Sequence, residues 1–247
     1  MDKINNWNEY YDKKYKKISK EEIENEKMYD KTFNNHYIKS KNNISLLIGS
    51  SGSGKTTTVI DYIIRTKLSN NDIPFYSITY FTSSTSDEGL INLLKKILPS
   101  VIVIDDTSKL PKIEDYKNLK SNEYNKNLKN IIIFDDIANL NKKQKDTLNI
   151  WSNSGRKLFS HMFFLCQSYF DVPITIRRNA NYIYLYKSSD LSMIKQILKK
   201  HNIYNIDLDT LIEWYINSTE NKGQFLLMDL CNDSPMKIRM NFLNKLY

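Results

Sequence analysis

The segment Gly49 to Thr56, GSSGSGKT, constrains this chain more than any other stretch. It holds three of the chain's six glycines, and Gly49, Gly54, Lys55 and Thr56 meet the spacing GxxxxGK[ST]. A loop of this kind needs glycine because its backbone N–H groups must turn inward around an anion, in conformations barred to bulkier residues. Ile44 to Ile48 before it reads as a short buried strand, and Thr56 to Lys67 after it as a helix. That strand–loop–helix context is what the phosphate-binding loop requires, with free amides at the helix start facing the anion. The expected ligand is ATP with Mg²⁺. Gly49, Ser50, Ser51, Gly52, Ser53, Gly54, Lys55, Thr56 and Thr57 form the cradle, Lys55 reaches the β- and γ-phosphates, and the Thr56 hydroxyl holds the metal.

Beyond the loop, apolar runs alternate with amphipathic segments. Strands are expected at Pro74 to Phe81, Val101 to Asp105, Ile131 to Asp135, His161 to Cys166 and Tyr182 to Tyr186. Thr85 to Glu88 fits a capping box opening a helix from Asp87 to Leu98, and Lys142 to Ser154 reads as another helix. Continuous apolar strands separated by helices indicate an α/β fold, a P-loop NTPase with a mostly parallel sheet sandwiched by helices. Two further helices, around Asp190 to His201 and Asp207 to Asn217, and a strand from Gln224 to Leu230 extend the same core. With no repeat and no Gly/Pro-rich linker, residues 42–247 read as one ATPase domain. Residues 1–41, charged on both signs and nearly without aliphatics, read as an extension.

The hydrophobic fraction of 40% and aromatic fraction of 12% exclude a disordered chain. A formal net charge of +8 favours polyanionic partners. The excess is mostly lysine, however, and accompanies abundant Asn, Ile and Tyr, so it does not by itself identify nucleic acid. The stretch Lys109 to Lys129 is a candidate for DNA phosphates, or simply a solvated face. Cys166 and Cys231 have no ligand-spaced partner, which points away from zinc and towards a reducing compartment. No signal peptide and no membrane-length apolar span is expected.

Hydrolysis also needs an acid at the tip of a neighbouring strand. Val101 to Asp106 (VIVIDD) and Ile131 to Asp136 (IIIFDD) both qualify. The second is preferred, because a helix and then a strand ending at Gln167 follow it. Asp135 would order Mg²⁺, and Asp136 would act as general base or orient the attacking water. Gln167 would sense the γ-phosphate or hold that water. Arg156 and the pair Arg177–Arg178 stand out in a lysine-rich chain. Arg156 or Arg177 is expected as an arginine finger, whose planar, permanent charge suits a transferring phosphoryl group.

No guanine-recognising NKxD, no LSGGQ-like signature and no arginine-rich lid is present. Instead the run from IIIFDDI through LCQSYFDVPITIRRNANYIYLY (Leu165 to Tyr186) resembles the FtsK–HerA superfamily, most closely the poxvirus-type packaging ATPases of large DNA viruses and virophages. Leu165 to Asp171, Pro173 and Arg177 to Asn179 carry that resemblance, which spans about Ile44 to Tyr186 with an echo at Ile238 to Phe242. It implies an additional-strand, RecA-like core and a homo-oligomeric ring, pentameric or hexameric. Such a ring would drive double-stranded DNA into a preformed capsid, with capsid or portal-vertex proteins as further partners. The implied location is the host cytoplasm or viral factory, or the virion. Lacking a recognisable nuclease or DNA-reading domain, the chain is expected to pump without cutting. A nucleotide-gated assembly factor, a single-strand helicase and a small-molecule kinase are the competing readings.

Overall fold

The computed structural model describes residues 43–70, 75–83, 88–97, 101–114, 129–155, 161–202, 205–231, 237–242 and 244–247. The N-terminal extension, the capping box at Thr85, most of the lysine-rich connection and Arg156 lie outside the described residues.

Nine strands form one sheet among the described residues, in the order β3-β2-β4-β5-β1-β6-β7-β8-β9. These are β1 (Asn43–Ile48), β2 (Phe75–Thr82), β3 (Val101–Ile104), β4 (Lys129–Asp135), β5 (His161–Cys166), β6 (Tyr182–Tyr186), β7 (Phe225–Asp229), β8 (Ile238–Met240) and β9 (Asn244–Lys245). The first six positions run parallel, and β7, β8 and β9 add an antiparallel meander beside β6. β5 is inserted between the strand preceding the phosphate loop and the strand carrying Asp135, as expected of an additional-strand sheet. β8 and β9 do not stand out in the sequence, being two or three residues long.

The central parallel strands β1, β5 and β6 are buried along their whole length because both sheet faces are covered there, whereas the edge strand β3 leaves Ile102 about half exposed. Side chains alternate between the faces. On one face, Ile44, Leu46, Phe134, Phe164 and Ile183 pack with helices α3 (Lys142–Ser154), α5 (Leu191–Lys200) and α6 (Leu208–Ser218). On the other, Leu47, Ile133, Phe163, Leu165 and Tyr184 pack with α1 (Lys55–Asn70) and α2 (Glu88–Ile97). A five-residue helix, α4 (Ile174–Arg178), follows Pro173; the sequence pattern gives no hint of it.

Local chemistry sets the helix starts. Asn141 and Gln144 form a reciprocal capping box at α3, each side chain accepting from the other's backbone N–H. Asp190 and Asp207 accept from the first-turn amides of α5 and α6. Trp151, fully buried on α3, donates its indole N–H to the Pro111 carbonyl at 2.9 Å and so ties α3 to the segment after β3.

Candidate nucleotide-binding site

The phosphate loop leaves the C-terminal end of β1 in the middle of the parallel half. Gly49 donates its N–H to the Cys166 carbonyl (3.2 Å), which fastens the loop to the end of β5. A side chain at Gly49 would meet Tyr186 Cβ at 2.6 Å and Ser53 Oγ at 2.9 Å, so glycine is required there by space. At Gly54 it is required by conformation, with φ at +106°. Thr58 donates to the Gly54 carbonyl at 2.9 Å, and α1 proceeds from there.

Lys55 spans the loop, its Nζ donating to the Gly49 and Ser50 carbonyls at 2.6 and 3.0 Å. Burial pulls its pKa down, while the negative charges of Asp135 and Asp136 and the Cys166 thiol act in the opposite direction. An ammonium partly stripped of water and flanked by carboxylates is poised to exchange those carbonyls for phosphate oxygens.

Asp135 ends β4 in register with Thr82 of β2 and Leu165 of β5. Its Oδ2 accepts from Thr56 Oγ1 at 3.4 Å and from the Tyr80 hydroxyl at 2.7 Å. The hydroxyl and the carboxylate expected to share a metal therefore stand side by side, although 79 residues apart in sequence. Burial raises the pKa of Asp135, and the Tyr80 hydrogen bond and Lys55 partly counter that. Tyr80 is a site residue that sequence reasoning missed; a tyrosine inside an apolar strand has no mark distinguishing it from core.

Asp136 adopts a left-handed backbone conformation, φ 53° and ψ 57°. Its N–H donates to the Leu165 carbonyl at 3.2 Å, and its own carbonyl accepts from the Ser83 hydroxyl. The short helix that follows takes no hydrogen bond from its side chain. The backbone of Asp136 is thus clamped between β2 and β5 while the carboxylate stays uncommitted to capping. Holding a non-glycine residue there costs about 1–2 kcal/mol, and aspartate is among the residues that tolerate it best. Ser83 was also missed, for it lies in a generic Ser/Thr run.

Gln167 is exposed and follows Cys166 directly, so it emerges between the phosphate loop on one side and Asp135–Asp136 on the other. The competing acidic pair is placed elsewhere. β3 is the edge strand, separated from β1 by three others, and Asp106 is engaged in capping the Ser108 amide at 2.9 Å.

The QSYFD motif builds a tight turn. Ser168 and Asp171 cap each other's backbone, which buries Tyr169 and leaves Phe170 about half exposed. Arg177 lies across both rings, 4.8 Å from the Tyr169 centroid and 5.5 Å from that of Phe170. Its Nε is buried without a hydrogen-bond partner. The Tyr169 hydroxyl meets His201 Nε2 at 2.8 Å. Burial, followed by the charges of Lys200 and Arg177, brings the His201 pKa down to about 4. Arg178, next in sequence to Arg177, is exposed.

Cys166 and Cys231 are free thiols, and burial pushes both upward, Cys231 to about 11. Among the described residues, no group of three or more His, Cys, Asp or Glu side chains is arranged to hold a metal by itself. Nor is any helix of the described residues long and apolar enough to cross a membrane.

Comparison with known proteins gives the same picture at the level of family and fold. The family described as Poxvirus A32 protein matches residues 30–234. The structure is similar to B204, the DNA-packaging ATPase from Sulfolobus Turreted Icosahedral Virus, with a TM-score of 0.52 and 15% identity over 81% of this chain and 97% of that one. It is similar to the genome packaging NTPase B204 from Sulfolobus turreted icosahedral virus 2 in complex with ATP-gammaS, with a TM-score of 0.50 and 15% identity over 81% and 96%. It is also similar to EssC (ATPases 2 and 3) from Geobacillus thermodenitrificans, with a TM-score of 0.51 and 16% identity over 76% of this chain and 37% of that one. At these identities the likeness is one of fold. No curated protein sequence matches the chain.

Proposed function

The chain belongs to the Poxvirus A32 protein family, and from that membership together with its site we propose that it is an ATP-hydrolysing motor that translocates double-stranded DNA and packages a viral genome into a preformed capsid. The observation that carries this reading is the convergence of Lys55, Thr56, Asp135 and Asp136 at the C-terminal ends of β1 and β4, on either side of the inserted β5. An α/β sheet presents ligands at this end of its strands.

Lys55 and the loop amides hold the polyphosphate and offset charge on the γ-phosphoryl group. The Thr56 hydroxyl and the Asp135 carboxylate are hard oxygen donors in contact, a set that suits Mg²⁺, which takes few protein ligands and completes its shell with phosphate and water. When bound, Mg²⁺ would neutralise phosphate charge. Tyr80 orients Asp135 for that task. Asp136, its backbone clamped and its carboxylate uncommitted, accepts the proton of the attacking water or orients it, and Gln167 holds that water from the β5 side.

Arg177 is the finger on this reading, offered to the neighbouring subunit of a homo-oligomeric ring. Support comes from its pinning on the Tyr169–Phe170 shelf, which limits the rotamer entropy lost on engaging phosphate. B204 of both Sulfolobus viruses is described as a packaging enzyme, which supports the DNA partner.

The test is ATP turnover by the wild type and by Lys55→Ala, with and without long double-stranded DNA, in a preparation shown to form rings. Stimulation by double strands but not single strands, abolished by Lys55→Ala, is expected. Hydrolysis indifferent to all DNA would favour an assembly factor instead.

A further inference from the structure

The turn between α6 and β7 lies against the phosphate loop from the side opposite β5. Its contact is close: the Cα of Gly223 is 3.0 Å from where a Cβ on Gly54 would stand. Gly223 itself has φ +88°. Lys222, one residue earlier, brings its Nζ to 3.9 Å from the Cβ position of Gly52. Between the loop and this turn opens a cavity of about 560 Å³, also bordered by Ser188 and Asn221. That volume falls within the range of small-molecule sites.

The cavity wall is rich in polar and charged side chains. Ser53 lines it, and its Oγ is buried without a hydrogen-bond partner, a polar group left for a ligand to satisfy after a small side-chain rotation. Ser51, Ser188 and Asn221 add hydroxyl and amide groups, Lys187 and Lys222 add cations and Glu220 a single acid; of the two cations, Lys222 is the one placed over the loop at Gly52. Resting on the assignment of the loop as an ATP site, we propose that Lys222 is a nucleotide-binding residue supplied within the same subunit, its ammonium contacting the polyphosphate on the side away from Lys55, with the ribose-bearing end of the nucleotide in this cavity. The antiparallel extension then closes the site, and the two glycines at the contact let the two backbones approach.

Isothermal titration of the full chain with ATP-gammaS and with inorganic tripolyphosphate tests this, using wild type, Lys222→Ala, Lys222→Arg and Lys55→Ala. Lys222→Ala is expected to weaken both ligands about tenfold, as befits one charge-assisted hydrogen bond. Lys222→Arg should stay near wild type, and the ligand-free thermal midpoint should hold in both, because residue 222 is exposed. Wild-type affinity in Lys222→Ala, with binding lost in Lys55→Ala, would overturn the role of Lys222 and leave the ATP site standing. Weakened binding with an equally lowered ligand-free midpoint, not rescued by arginine, would make the residue structural and also overturn it. Failure of the wild type to bind either ligand would overturn the ATP reading and this one together.

Discussion

In β1, β5 and β6 every residue is buried and none is Asp, Glu, Lys or Arg. The charges of that half that face the phosphate loop, Lys55, Asp135 and Asp136, gather where the strands end. The antiparallel extension does the reverse. Asp229 on β7 and Arg239 on β8 form an ion pair inside the sheet, with side-chain exposures of 2% and 0%. A charge beside the phosphate loop is left to be met by a ligand, whereas a charge buried between paired strands must be met by the protein itself. The first kind sets activity and the second sets stability and strand register, so substitutions in the two halves should separate these properties.

The largest effect is expected at the parallel tip. Asp136→Asn should reduce ATP turnover by about 10²–10⁴-fold, the usual worth of a positioned acid–base group. Urea unfolding should stay within about 0.5 kcal/mol of wild type, since that side chain caps nothing. A comparable free energy, expressed as stability, is expected in the extension. Arg239→Met leaves Asp229 buried without its cation and should destabilise by about 3–5 kcal/mol in urea unfolding. Adding Asp229→Leu should recover most of that loss. If Arg239→Met instead left stability unchanged, the contrast between the halves would fail.

Smaller effects are expected away from both charge clusters. Asn141→Ala removes the capping box behind Asp136 and should cost about 1 kcal/mol of stability. His201, half-buried against Tyr169, has a folded pKa of about 4 against 6.5 for a free histidine. Between those values the unfolded chain binds the proton and the folded chain does not, so stability must fall as pH drops through 6.5 towards 4. The thermal midpoint should therefore decline between pH 7 and pH 5, and His201→Gln should decline less.

The parallel half was legible because its central strands are buried on both faces and appear as largely apolar runs. Helices α3, α5 and α6 announced themselves as amphipathic segments between or after those runs. The phosphate loop was legible because glycine is demanded there by backbone geometry. The rest depends on register between distant segments. Tyr80 reaches Asp135 only because β2 and β4 are neighbours, and Lys222 reaches Gly52 only because β7 folds back beside β6. The SYFD residues show the limit from the other side. Their spacing identified a family, but the reason for those residue types emerges only in three dimensions. Ser168 and Asp171 close a turn whose two aromatic rings seat Arg177.

On the proposed function, ATP hydrolysis at this site moves a ring of subunits along duplex DNA. The most direct test of that movement is displacement of a third strand annealed to a linear duplex, scored with wild type and Asp136→Asn in the presence of ATP. Displacement by the wild type that needs hydrolysable ATP, and none by Asp136→Asn despite nucleotide binding, is the predicted result. A wild-type ring that hydrolyses ATP on duplex DNA yet never displaces the strand would contradict the account.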